Sequence, residues 1–220
     1  MNQPARISVE NVDEFAKTCV LLEKQFDEMK WIKNYKRKNV SKTPCYSMVF
    51  GEVCVRCHGL RKASNNKKYP KVYDTLQQLG SQLRLDNGDP FPFRSITINK
   101  NLPCLPHIDK YNKGNSVILT LGKFAGGKLG ILQTEGPKSY DVWERPLMFD
   151  GSKLVHWTEP FEGTRYSVIF FNLKIRARDQ VLAAPLIKKR KRNQNNKHVA
   201  ISETHHGNLP GRKRVQVPKT

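Results

Sequence analysis

Apolar residues Val12, Phe15, Cys19, Leu22, Phe26 and Met29 recur at steps of three and four, so a helix over 8–33 would carry one apolar face. A second such face, Val72, Leu76, Leu79 and Leu83 behind Pro70, predicts a helix over 70–85. Pro suits the first turn because the N–H it lacks has no intrahelical partner there. Between the two lies a basic stretch without a clear period, with Lys33, Lys36, Arg37 and Lys38 and then Arg61, Lys62, Lys67 and Lys68. From Phe93 onward the period shortens to two. Segments 94–98, 116–121, 128–132, 140–143, 147–149 and 166–173 read as strands. Turn residues separate them: Gly126-Gly127, Gly136-Pro137, Asp150-Gly151 and Glu162-Gly163. Many short strands at this spacing predict a sandwich or barrel, of which the jelly roll is one form.

Charge changes the picture next. The 220 residues hold 39 Lys and Arg against 19 Asp and Glu, a formal +20. From Pro185 onward there are ten basic residues and one acid, Glu203, with runs at Lys188–Arg192 and Arg212–Arg214 and no periodic apolar face. Such a tail has too little apolar surface to order itself. The body still carries +11, so the excess is not confined to the tail. A generally basic surface is the plain explanation; attraction to a polyanion, nucleic acid first, is the sharper one and is preferred for a chain this short. The Lys188–Arg192 run reads as a nuclear localisation signal, a nucleic-acid arm or a solvated tail.

The longest apolar runs, at 117–121 and 168–171, are strand-sized, and Met1–Arg6 has no apolar core behind it. No membrane span or secretory leader is expected. Five cysteines, an odd number spread along the chain, do not read as a disulfide framework and point to a reducing compartment, nucleus or cytosol. Cys54-Val-Arg-Cys57-His58 has the form of a haem attachment site or half a zinc site. The first needs export and the second lacks a partner pair, so structural cysteines are preferred.

The candidate chemistry begins at Pro106-His107-Ile108-Asp109. In extended chain, residues i and i+2 share a face, so His107 and Asp109 can address one point. With His156, several strands later, they make two imidazoles and a carboxylate, the facial donor set of non-haem Fe(II) oxygenases. Taken singly, a His-x-Asp triplet arises by chance, and His156 can be a buried histidine bonded to backbone. Arg165, nine residues beyond His156 at the start of an apolar strand, raises the odds. A buried guanidinium needs an anionic partner, and a carboxylate gripped at two points is a fitting one. Ser167 points the same way and can donate a further hydrogen bond.

His107-x-Asp109, His156 and Arg165-x-Ser167, in this order and spacing, resemble the 2-oxoglutarate/Fe(II)-dependent dioxygenase superfamily over residues 93 to 174. The flanking text is most similar to its TET/JBP-like branch: Ile98-Asn-Lys-Asn101, His107-Ile-Asp-Lys-Tyr-Asn112, Gly126-Gly-Lys-Leu129, Phe149-Asp-Gly151 and Thr158-Glu-Pro-Phe161. The resemblance implies a mainly β, α+β fold with a double-stranded β-helix (jelly-roll) core over 93–178. Residues 1–92 would form a helical support within the same domain, and 179–220 a basic tail. It implies His107, Asp109 and His156 as iron ligands, Arg165 and Ser167 as holders of 2-oxoglutarate, and dioxygen as oxidant. Asn99 and Asn101 either reach the co-substrate or form turns. The expected activity is oxidation of a methylated pyrimidine, 5-methylcytosine or thymine, in nucleic acid, DNA before RNA. The alternatives are a protein side-chain hydroxylase on the same core and a catalytically silent nucleic-acid-binding module.

Overall fold

The computed structural model describes residues 3–35, 37, 40–42, 45–55 and 59–174. Cys57, His58 and the basic tail lie outside them. The chain runs β1 (Ala5–Arg6), β2 (Ser8–Val9), α1 (Val12–Glu28), β3 (Lys33–Asn34), β4 (Cys45–Val55), β5 (Gly59–Lys62), α2 (Ser64–Lys68), α3 (Pro70–Ser81) and β6 (Leu83–Arg84). It continues with β7 (Ser95–Lys100), β8 (Ser116–Leu121), β9 (Phe124–Gly126), β10 (Leu129–Gln133), β11 (Gly136–Tyr140), β12 (Leu147–Phe149), β13 (His156–Thr158), β14 (Phe161–Gly163) and β15 (Tyr166–Phe171).

The major sheet is antiparallel, in the order β1-β12-β8-β15-β7-β4-β3, with β5 paired to β4. Its two faces do different work. Directly opposed residues share a face, so Met48, Ile98, Val168 and Leu119 form one row and Phe50, Ile96, Phe170 and Val117 the next. These rows are fully or almost fully buried under Phe15, Leu22 and Phe26 of α1 and Val72, Leu76 and Leu79 of α3. Each such side chain contributes about 1.5–3 kcal/mol by leaving water. The other face carries Ser47, Asn99, Ser167 and Thr120 in one row and Val49, Thr97, Ile169 and Ile118 in the next. It looks onto the minor sheet, β11-β10-β13, and the β14–β9 pair. Ile118, Leu147 and Phe149 pack there against Leu129 and Ile131. Two facing antiparallel sheets with helices on one outer side make a jelly roll in an α+β setting, as the strand spacing predicts.

Both helices are shorter than their apolar patterns. Asn11 caps α1, its side chain accepting from Glu14 N–H at 3.0 Å, and the flanking Ser8–Val9 and Leu83–Arg84 pair as strands instead. The strand expected at 140–143 begins earlier, at Gly136, as half of a hairpin with β10. Pro137 is tolerated because β11 is an edge strand, where a missing N–H interrupts no central ladder. Among the described residues, no helix is long and apolar enough to cross a membrane.

Candidate metal centre

His107 and His156 face each other across an isolated antiparallel bridge, each backbone N–H donating to the other's carbonyl at 3.0 Å. That exchange sets the two rings 4.3 Å apart. Asp109 joins them because its N–H donates to Gly151 O at 2.8 Å, fixing the strand-like triplet against the loop before β13. Donor atoms of His107, Asp109 and His156 all lie within 4.8 Å of one another, so the group can hold a metal ion. Nε2 of each histidine is 3.8 Å from an Asp109 oxygen.

The far side of each ring is tied down. Nδ1 of His107 lies 2.6 Å from Leu105 O, and Nδ1 of His156 lies 2.9 Å from Leu154 O. A carbonyl can only accept, so each Nδ1 carries the proton and each Nε2 presents its lone pair to the centre. Burial, reinforced by the neighbouring His107, lowers the pKa of His156 and keeps its ring in the neutral, ligating form. Asn112 completes the arrangement: its Nδ2 donates to Asp109 Oδ2 at 3.2 Å and to Ser116 Oγ at 3.3 Å. Asn112→Ala should therefore weaken metal binding by about 10- to 100-fold, the usual effect of losing a hydrogen bond that orients a ligand. Titration with Co(II), followed by its visible absorption, measures this; an unchanged affinity would mean that Asp109 is held without Asn112.

Arg165 opens into the same cavity of about 190 Å³ that the three donors line. It is 2% exposed, a costly burial for a charge. Phe124 and Phe161 flank its guanidinium at 5.6 and 5.5 Å, and Nε donates to Gly127 O at 3.1 Å. Gly127 is required there: its φ is +64°, and a Cβ would come within 2.8 Å of Arg165 Nε. Burial lowers the pKa of Arg165 to about 10, which leaves it protonated at neutral pH. Its Nη2 is buried with no hydrogen-bond partner among the described residues. An unanswered charged donor costs more than the 1–3 kcal/mol or so of a neutral one, so an anionic group at this atom would be strongly favoured.

The remaining residues singled out in the sequence separate. Asn99 and Ser167 line the cavity with Arg165, and Asn99 Nδ2 donates to Ser167 Oγ at 2.9 Å. The carboxamide oxygen of Asn99 accepts from Arg37 Nη1 at 3.0 Å, and the same nitrogen donates to Ser47 Oγ at 2.9 Å. Asn101 does not line the cavity. It sits at φ 48°, a left-handed turn that Asn tolerates, and its Oδ1 accepts from the Arg165 backbone N–H at 2.7 Å. Arg37, Asn112 and the Phe124–Phe161 pair are participants that the sequence did not single out. Asn112 and Phe161 belong to the motifs at 107–112 and 158–161, whereas Arg37 was hidden in the unpatterned basic stretch.

No protein-family model matches the chain, and no curated protein matches it. Similar solved structures include NgTET1 in complex with 5mC DNA, at 15% identity and TM-score 0.46, with 74% of this chain and 67% of that one covered. A 2OG-Fe(II) oxygenase family oxidoreductase from Burkholderia pseudomallei aligns at 13% and 0.47, covering 69% and 76%. A prolyl-4-hydroxylase from Pseudomonas putida aligns at 12% and 0.48, covering 78% and 92%. Such values leave the chemistry to be read from the site itself.

Proposed function

We propose that this chain is an Fe(II)- and 2-oxoglutarate-dependent dioxygenase that oxidises a methylated pyrimidine base in nucleic acid. One observation carries the oxygenase reading: two imidazoles and a carboxylate converge in a cavity that also holds a buried guanidinium whose Nη2 has no partner among the described residues. Both groups fit. Two histidines and one carboxylate leave coordination positions open for a chelating co-substrate and dioxygen, the pattern typical of non-haem Fe(II). A dicarboxylic keto acid offers one end to the metal and a distal carboxylate to Arg165.

In this reading His107, Asp109 and His156 hold the iron. Arg165 grips the distal carboxylate of 2-oxoglutarate with Ser167 beside it, and Asn99 fixes the Ser167 hydroxyl. Asn101 acts at one remove, by locking the backbone of Arg165. Phe124 and Phe161 exclude water around the guanidinium, which strengthens its hold on a carboxylate. Bound iron supplies the activation of dioxygen that couples decarboxylation of 2-oxoglutarate, to succinate and carbon dioxide, with insertion of one oxygen atom into a substrate C–H bond. A silent binding module would have no use for a charge buried at this cost.

The basic body supports nucleic acid as substrate over a neutral peptide. The test is anaerobic reconstitution with Fe(II) and 2-oxoglutarate, followed by air and single strands carrying 5-methylcytosine, thymine or N-methylated bases. Mass spectrometry of the nucleosides should show an oxidised methyl group on a pyrimidine. Oxidation of an added peptide with none of any nucleoside would establish the protein-hydroxylase alternative instead.

A further inference from the structure

The metal cavity shares lining residues with a row of adjoining hollows, which together form a discontinuous trench. Arg37, Asp109 and Asn112 line both the cavity and an adjoining hollow that Lys110 and Tyr111 border. Tyr111 is shared with the next hollow, which includes Lys174, and that one shares Glu52 and Leu173 with a third, bordered by Arg94 and Lys113. The backbone holds these residues side by side: Lys174 N–H donates to Tyr111 O at 2.7 Å, and Lys113 N–H to Asn172 O at 2.8 Å.

The lining is strongly one-signed. Arg37, Lys110, Lys113, Lys174 and Arg94 are cationic. Of the two carboxylates, Asp109 belongs to the metal donors and Glu52 is already paired with Lys62 at 3.3 Å and Arg94 at 3.7 Å. Lys110, Lys113 and Lys174 are exposed and pair with no carboxylate among the described residues. Tyr111 stands where two hollows meet, with 64% of its surface in water. Among the described residues, an aromatic that exposed offers a flat platform for stacking.

Building on the oxygenase reading, we infer that this trench is the track of a single-stranded nucleic-acid segment leading to the metal cavity. Lys110, Lys113 and Lys174 take phosphates, Tyr111 stacks on a base next to the target, and Arg37 stands at the entrance to the cavity. Cations along a groove with an interleaved aromatic are how proteins hold single strands without reading their sequence. A base whose methyl group must reach a recessed metal has in any case to leave a duplex stack. An acidic polypeptide would match the cations and leave Tyr111 without a purpose.

The experiment uses the full-length chain without metal and a fluorescent single-stranded oligothymidylate of about 12 nucleotides, within the site sizes common for such grooves. Anisotropy is read over a series of salt concentrations. The triple variant Lys110→Glu, Lys113→Glu, Lys174→Glu should flatten the slope of log affinity against log salt by about 0.7 per lost phosphate contact, or about 2 in all. Lys17→Glu, Lys24→Glu, Lys71→Glu makes the same change in net charge on exposed positions of α1 and α3, across the sheet from the trench. It should keep the wild-type slope, because salt screens charges beyond about 10 Å. Tyr111→Ser should weaken binding about 10-fold with the slope unchanged.

Wild-type binding with equal slopes in both triple variants would overturn the trench while leaving a nucleic-acid substrate in place. An absence of salt-dependent binding by the wild type would remove that substrate reading and the trench with it. Poly-glutamate binding as tightly as the oligonucleotide, with Tyr111→Ser silent for both, would assign the trench to acidic polypeptides.

Discussion

Asp109→Ala is expected to abolish iron binding and 2-oxoglutarate turnover while leaving the fold standing. Asp109 supplies the only negative charge in the donor group, and it lies 3.8 Å from both imidazole Nε2 atoms. The two histidines would keep their orientation, since Leu105 O and Leu154 O hold their far nitrogens. Two neutral imidazoles bind divalent iron far more weakly than the full set. A loss well beyond the 10- to 100-fold typical of a merely orienting residue follows. The fold has little stake in the carboxylate, whose side chain is 28% exposed and accepts one hydrogen bond, from Asn112. The backbone bond of Asp109 to Gly151 O survives the substitution. Succinate formation and a thermal melt together check this result. Wild-type turnover by the variant would sink the metal assignment, and a collapsed melt would show that the carboxylate is needed for folding.

Much of this architecture was readable from spacing. The apolar faces of α1 and α3 follow directly from period 3.6, and β8 and β12 match their expected bounds, 116–121 and 147–149. The two helices bury one face each, so the pattern of side chains and the pattern of burial coincide, whereas β8 is buried at every position and stands out as an unbroken apolar run. β4 was invisible for a physical reason. It lies inside the large sheet between β7 and β3, and its burial falls on both faces rather than on every second residue, so no alternation stands out behind the basic run. The convergence of His107, Asp109 and His156 was legible because two of them are neighbours on one extended segment. The roles of Arg37, Asn112 and the aromatic flanks of Arg165 were not, although Asn112 and Phe161 stand within recognisable motifs. Their roles depend on contacts between residues distant in sequence, such as Arg37 with Asn99 and Arg165 with Gly127, which local spacing does not encode. For Asn101 the sequence left a co-substrate contact and a turn equally open, and the residue stands in a left-handed turn with its Oδ1 accepting from the Arg165 N–H.

Arg165→Lys is expected to raise the half-saturating concentration of 2-oxoglutarate by about 10- to 150-fold, although the charge is conserved. The guanidinium is clamped before any ligand arrives: Nε is bonded to Gly127 O, and rings of Phe124 and Phe161 lie on either side. Held in this way it would offer its remaining fork to a carboxylate in one orientation, and Nη2 has no partner among the described residues. An ammonium is a compact point charge that forms no planar fork and lacks the Nε donor that anchors the arginine to Gly127. At least one charge-assisted hydrogen bond is lost, worth about 1.5–3 kcal/mol, and each 1.4 kcal/mol or so is tenfold in affinity. The lysine must also stay charged in a site where burial already pulls the guanidinium down to about 10. Starting from a lower intrinsic pKa than arginine, a lysine there would lose part of its charge near neutral pH. Affinity in the variant should therefore fall further as pH rises from 7 to 9, a dependence the wild type lacks because its guanidinium remains protonated through most of that interval. Metal binding, measured separately with Co(II), should be unchanged, since Arg165 is not among the donors. An unaltered half-saturation at every pH would show that the co-substrate carboxylate binds elsewhere.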